Sequence, residues 1–483
     1  MTGSTDYDRR WLILGLLSVA QLMVVLDATV VNIALPSAQK ALNFSNADRQ
    51  WVVTAYTLGF GSLLLLGGRL SDLFGRRRTL ITGLIGFAVA SAVGGAAQSF
   101  DILIAARAVQ GIFGALLAPA ALSLLTTTFT DPKERGTAFG VFGAIAGAGA
   151  GIGLLLGGVL TEYLSWRWCL YVNLIFAVVA VIGAVLLLGK HARAAKPHLD
   201  IRGTLTGSAG LFALVYGFSE ADRSGWGASS TLGFLAAGIA LLAAFIVIER
   251  RVAHPLLPLR IVADRNRGGS LLAMLTAAIG MFGVFLFLTY YLQQTLGYSP
   301  VKTGFAFLPM VGAIIATSTT SSTVLLPRLG PRLLIPTGML LSAVGMVLLA
   351  QLGAHSTYAV HILPGLLVIG VGLGLVFAPA FNTATLGVDR GDAGVASAAV
   401  NTAQQVGGSL GTALLNTVAT TATTAFLVGK AASPGVVTSA TVHGYVTAFW
   451  WAAAIFAAGA MVCGLLLRSG APALDSAVQP VPA

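Results

Sequence analysis

The chain has 483 residues, of which 56% are hydrophobic and only 9% charged, and its mean hydropathy is +0.86. No soluble domain of this length has that balance, so the composition excludes a water-soluble enzyme or binding module and implies an all-α polytopic membrane protein. The net charge of +11 would suit a nucleic-acid partner, but the basic residues are scattered among short loops rather than gathered into a stripe, and membrane topology accounts for them.

In chain order, Arg9 and Arg10 precede an apolar run that is too long for a signal-peptide core and lacks a small-residue cleavage site, so it reads as an uncleaved first span. Further runs of about 20 residues place fourteen spans near 11–35, 50–68, 79–98, 102–127, 136–160, 169–189, 203–219, 230–248, 270–292, 303–325, 333–353, 359–382, 394–425 and 444–467. With both termini cytoplasmic, most of the 28 Lys and Arg residues fall on the inner side, among them Arg76, Arg77, Arg78 and the loops Lys190–Arg202 and Glu249–Arg267. Arg49 and Arg167 fall on the outer side. Cys169 and Cys463 lie in apolar runs and match no metal-ligand spacing, and no cofactor is expected.

Asp27 lies inside the first span, in L-D-A-T-V-V-N-I-A-L-P. An ionisable group at that depth costs about 2.5–3.5 kcal/mol on insertion scales and is a functional-site candidate by default. In the fourth span, Arg107, Gln110, Gly111 and Gly114 follow helical spacing and share one face. Arg107 keeps its proton, so it needs a partner or water. In the fifth span, Gly143, Gly147 and Gly151, and Gly149, Gly153 and Gly157, have the small-xxx-small spacing of close helix contact, and Gly158 extends the run.

Pro119 is echoed by Pro379, the Gly75–Arg77 turn by Gly330 and Arg332, and Gly136 by Gly394, each about 260 positions on. The offsets imply two six-span halves with two spans inserted between them. The expected divisions are 1–189, 190–269 for the inserted pair, 270–468 and a short tail at 469–483. Internal repeats of this kind are typical of secondary transporters, which bind substrate between the halves near the bilayer midplane.

These features resemble the major facilitator superfamily, and within it the fourteen-span drug:proton antiporter branch, from about Arg10 to Arg468. G-R-L-S-D-L-F-G-R-R-R-T resembles the signature loop between spans 2 and 3, which implies a gate built on Gly68, Asp72, Gly75, Arg76 and Arg77. The Arg107 segment, the first-span segment with Asp27, Asn32 and Pro36, and the fifth-span glycines match further motifs. Leu154 stands where the antiporter motif usually has proline, and Ile175 replaces a common proline after S-W-R-W-C-L-Y-V-N-L. Asn401, Gln404 and Gln405 match a span-13 segment that usually carries an arginine.

The resulting expectation is a monomeric exporter of small amphipathic drugs or antibiotics in the bacterial plasma membrane, driven by protons and not an enzyme. Asp27 and Arg107 would couple the proton, since a proton and a cation compete for one carboxylate. Asn32, Gln110, Asn382, Asn401 and Gln405 are the candidate substrate contacts, and Trp166 and Trp168 are expected as interfacial anchors. Phe282, Phe285, Phe287, Tyr290 and Tyr291 are read either as a pocket for flat cations or as lipid-facing packing. The competing readings are a dedicated transporter of one metabolite, such as a self-made antibiotic, lipid precursor or siderophore, and a non-transporting membrane sensor. The absence of a G-x-x-x-x-G-K-[ST] motif argues against an ATP-driven pump.

Overall fold

The computed structural model describes residues 3–45, 48–49, 51–129, 132–189, 200–252, 255–385, 388, 393–431 and 433–468. The expected tail at 469–483 therefore lies outside the described residues. Fourteen long helices account for most of the rest: α1 (Gly3–Leu42), α2 (Trp51–Phe74), α3 (Arg76–Gly95), α4 (Phe100–Thr128), α5 (Pro132–Tyr163), α6 (Trp168–Leu187), α7 (Ile201–Ser224), α8 (Ser229–Glu249), α9 (Arg265–Tyr290), α10 (Pro300–Thr320), α11 (Pro331–Leu349), α12 (Leu363–Thr385), α13 (Ala393–Leu427) and α14 (Pro434–Leu466). No strand occurs among the described residues. Ten of the helices are long and apolar enough to cross a membrane, while α2 and α5 contribute the shorter apolar stretches Trp51–Leu64 and Gly151–Tyr163.

Local chemistry sets the helix ends. Ser99, Ser299 and Ser433 each accept a backbone N–H in the first turn of α4, α10 and α14, and proline follows directly at the last two. The sharp breaks between α2 and α3 and before α11 fall on Gly75 and Gly330, with φ of 90° and 72°. Residues with a Cβ avoid that region. The two glycines that the sequence pairs as repeats thus make the same backbone turn at corresponding places. Their end of the bundle, where Arg76, Arg77 and Arg78 also lie, is the basic end.

Helices α1 to α6 pack on one another, with α2 and α3 against α4 and α1 against α5 and α6. Helices α9 to α14 form a second group in which α12 packs on α10 and α11, and α14 on α9, α11 and α13. The inserted α7 and α8 pair with each other, and α7 leans on α2 and α13. Close approach within a group depends on missing side chains: a Cβ on Gly111 of α4 would stand 2.2 Å from the Tyr56 carbonyl oxygen of α2. Exposed apolar residues such as Ile175, Val178, Val179, Ile182 and Leu186 line the outer face of α6, where lipid replaces protein as the neighbour.

The groups meet through α2 with α13 and α5 with α10. Contacts between them include Thr57 with Ser409, Gln39 with Tyr290 and Glu162 with the Val301 backbone, at mid-height or toward the end opposite the basic one. Trp168 is exposed, but Trp166 is buried and its ring lies 4.7 Å from the Arg167 guanidinium carbon. Arg167 reaches back to the Gly95 and Ala97 carbonyls at the end of α3.

Candidate functional site

Asp27 sits two-thirds of the way along α1, and its side chain enters the interior of the first helix group. Arg107 Nη1 of α4 donates to Asp27 Oδ2 at 2.6 Å. The other carboxylate oxygen accepts from Gln110 Nε2 at 2.7 Å and from Asn173 Nδ2 of α6 at 2.9 Å. Each partner is itself held. Arg107 Nε donates to the Val52 carbonyl of α2, Arg107 Nη1 also meets Gln110 Oε1, and Ser91 Oγ of α3 accepts from Gln110 and Asn173 while donating to the Leu170 carbonyl.

The Tyr56 ring lies 4.5 Å from the Arg107 guanidinium carbon, adding a cation–π contact from α2. Asp27, Arg107 and Gln110 are each 1% exposed, so the charges are taken fully out of water and depend on one another. Two polar atoms at the edge of the cluster, Tyr56 Oη and Asn173 Oδ1, are buried without a partner among the described residues. Five helices converge here, and the three hydrogen bonds to Asp27 tie α1 directly to α4 and α6.

The fifth-span glycines set the helix that presents Asp27. Gly149, Gly153 and Gly157 of α5 face Leu22, Val25, Thr29 and Val30 of α1, and a Cβ on Gly153 would stand 1.9 Å from Thr29 Oγ1. Gly158 faces the other way, and a Cβ there would stand 2.8 Å from the Pro300 carbonyl oxygen at the start of α10. The stripe therefore links the Asp27 helix to the second group. Leu154, in the place of the usual proline, is buried, and α5 runs unbroken past it.

Among the loop residues, Gly68 lies in α2 next to Pro119 of α4, and Gly75 makes the turn. Arg77 donates to the Ala184 and Val185 carbonyls at the end of α6, an interaction within the first group, and Arg76 is half-buried. The Asp72 side chain lies outside the described residues. Asn32 is buried and bonds the Ala28 carbonyl of its own helix. Gln110 belongs to the Asp27 cluster, whereas Asn382 is exposed beside Ser322, and Asn401 and Gln405 are half-buried on α13. The five candidate contacts are thus divided among separate places.

Sequence reasoning missed Ser91 and Asn173, which are as central to the cluster as Gln110. Asn173 falls inside a quoted family segment, so a search for polar residues on otherwise apolar helices would have found it. Arg49, counted with the outer loop charges, is buried against the second group.

Residues 17–412 match the model of the Major Facilitator Superfamily. The chain is 52% identical over 469 residues to the puromycin resistance protein pur8 of Streptomyces alboniger, covering 97% of this chain and 93% of that protein. It is 40% identical over 402 residues to the cephamycin export protein CmcT of Amycolatopsis lactamdurans, covering 83% of each. Two solved structures share the fold: a bacterial homologue of the lysosomal transporter Spinster in an inward-facing conformation, with a TM-score of 0.65 over 95% of this chain and 97% of that one, and an auto-inhibited POT family peptide transporter, with 0.68 over 95% and 96%. Both are 16% identical, which speaks to fold alone. The signature loop, the Arg107 stripe and the paired glycine turns agree with the family match, and the chain belongs to the major facilitator superfamily, beside its antibiotic resistance and export proteins.

Proposed function

We propose that this protein exports small amphipathic compounds, antibiotics among them, in exchange for protons. It does so as a monomer spanning the bacterial plasma membrane fourteen times, with both termini and the basic end cytoplasmic. The observation that carries the reading is the fully buried Asp27 carboxylate with Arg107, Gln110 and Asn173 around it. When a proton neutralises Asp27, Arg107 loses its counter-charge and α1 loses its hold on α4. The glycine contacts of α5 with α1 and α10 would pass that change to the interface between the halves. Residues 1–189 and 270–468 would then rock about a central site, with 190–269 as the inserted pair and 469–483 as a tail.

In this reading Gly68, Asp72, Gly75, Arg76 and Arg77 form the cytoplasmic gate, while Asn32, Asn382, Asn401 and Gln405 meet substrate between the halves. The test is accumulation of ethidium in an efflux-deficient bacterium carrying the wild type or Asp27→Asn at equal membrane expression. Lower accumulation that needs Asp27 and vanishes with a protonophore is the expected result. Accumulation equal to that of empty cells would overturn multidrug export.

A narrower reading, export of one antibiotic, is favoured by the 52% identity to a protein named for puromycin resistance. Raised tolerance to puromycin alone, in a panel of unrelated antibiotics, would select it.

A further inference from the structure

Arg49 precedes α2 and belongs to the first half of the chain, yet its side chain is buried among residues of the second. Its Nε and Nη2 both donate to Asn416 Oδ1 of α13, at 3.3 and 3.2 Å. The guanidinium carbon lies 4.4 Å from the centre of the Tyr290 ring and 5.8 Å from the centres of Phe287 and Tyr445. Among the described residues no carboxylate pairs with it. A full positive charge is thus held by three aromatic rings and one amide oxygen, the chemistry by which proteins recognise organic cations.

All four partners lie on α9, α13 and α14, whereas the cation comes from the other half. Opening at this end would pull Arg49 out and leave three ring faces and the Asn416 amide around the mouth. Tyr290 would lose its 2.8 Å hydrogen bond to Gln39 of α1 in the same movement.

We propose that Phe287, Tyr290, Tyr445 and Asn416 form a binding site for organic monocations, quaternary ammonium or guanidinium in type. Arg49 fills it as a tethered surrogate while this end is closed, and a cation in transit takes it when the end opens. On closing, Arg49 displaces the cargo, because one cage does not hold two cations. The role in transit rests on the exporter reading; the existence of the site does not.

The test uses the full chain in lipid nanodiscs without a proton gradient, titrated with tetramethylammonium by calorimetry. Removing the surrogate in Arg49→Ala is expected to tighten binding roughly tenfold. Arg49→Lys refills the cage and returns the affinity to that of the wild type, and adding Tyr290→Leu to Arg49→Ala abolishes the gain. If Arg49→Ala is not recovered as monodisperse protein, Arg49→Gln, which is neutral and still able to donate to Asn416, carries the same expected gain. Equal affinity of the neutral variant and the wild type, or a gain that survives Tyr290→Leu, overturns the proposal. No transport enters the measurement, so failure of the exporter reading would show in cellular accumulation and leave this titration to decide by itself.

Discussion

Arg107 donates to Asp27 across 2.6 Å in a part of the first helix group from which water is excluded, and the two residues hold α4 to α1 through that contact. A buried pair is weak evidence for stability, because desolvation of both charges offsets much of their attraction. Its value lies in the response to losing one charge.

Asp27→Ala strands the guanidinium and is expected to lower stability by about 3–5 kcal/mol. Asp27→Ala with Arg107→Leu should recover most of that loss, since no unpaired charge remains, yet it should not restore proton-driven transport. Thermal melting and dye uptake into inverted vesicles measure the two effects. A double variant that transports normally would remove the pair from the coupling mechanism.

Gly153 and Thr29 test how α5 sets the position of the Asp27 helix. Thr29 Oγ1 is held by the Val25 and Leu26 carbonyls, at 3.0 and 3.1 Å, so it resists displacement by a methyl group on Gly153. Gly153→Ala is expected to lower stability by about 1–3 kcal/mol through overpacking. Thr29→Ala in the same chain should return much of it, and strict additivity of the two effects in a double-mutant cycle would refute the contact.

Gly158 opposes backbone rather than a side chain. A methyl group there would stand 2.8 Å from both the Pro300 carbonyl oxygen and Val301 Cα, and neither can rotate away. Gly158→Ala should therefore part α5 from α10 and favour opening at the end where Arg49 lies. With Cys169 and Cys463 replaced by Ala, a cysteine at the buried position Asn416 should react faster with a membrane-impermeant thiol reagent in the Gly158→Ala chain. An unchanged labelling rate would show that the interface yields elsewhere.

Gly75 has φ of 90° with open space where a side chain would go, so substitution there reports backbone strain alone. Gly75→Val should cost about 1–3 kcal/mol. Gly75→Asn should cost about as much, because with ψ of 133° the residue lies outside the left-handed helical well that asparagine tolerates. Melting of the purified variants checks it, and an asparagine variant as stable as the wild type would refute the strain.

The helices, the Gly75 turn and the Arg107–Gln110 stripe were readable in the chain because each depends on hydropathy or on a spacing within one helix. Gly330 could be matched to Gly75 for the same reason. Ser91 and Asn173 carry no such local mark, as single small polar residues are common in membrane helices and become informative only when they face a charge. Trp166 was expected at the interface because aromatic residues near a span end usually anchor there, whereas here it is buried with the Arg167 guanidinium against its ring.

Residue order alone thus established a membrane protein of many helices, pointed to a division into two halves, and placed a carboxylate and a guanidinium in the interior. These follow from the bilayer's demand for long apolar helices and from backbone chemistry that acts within a few positions. Which charge meets which partner was decided by packing. Asp27 finds Arg107 80 positions away and Asn173 146 away, and Arg49 crosses 367 positions to reach Asn416. Only the folded chain fixes those distances, because the small residues that let helices touch select neighbours by shape in three dimensions and leave no local signature of the partner chosen.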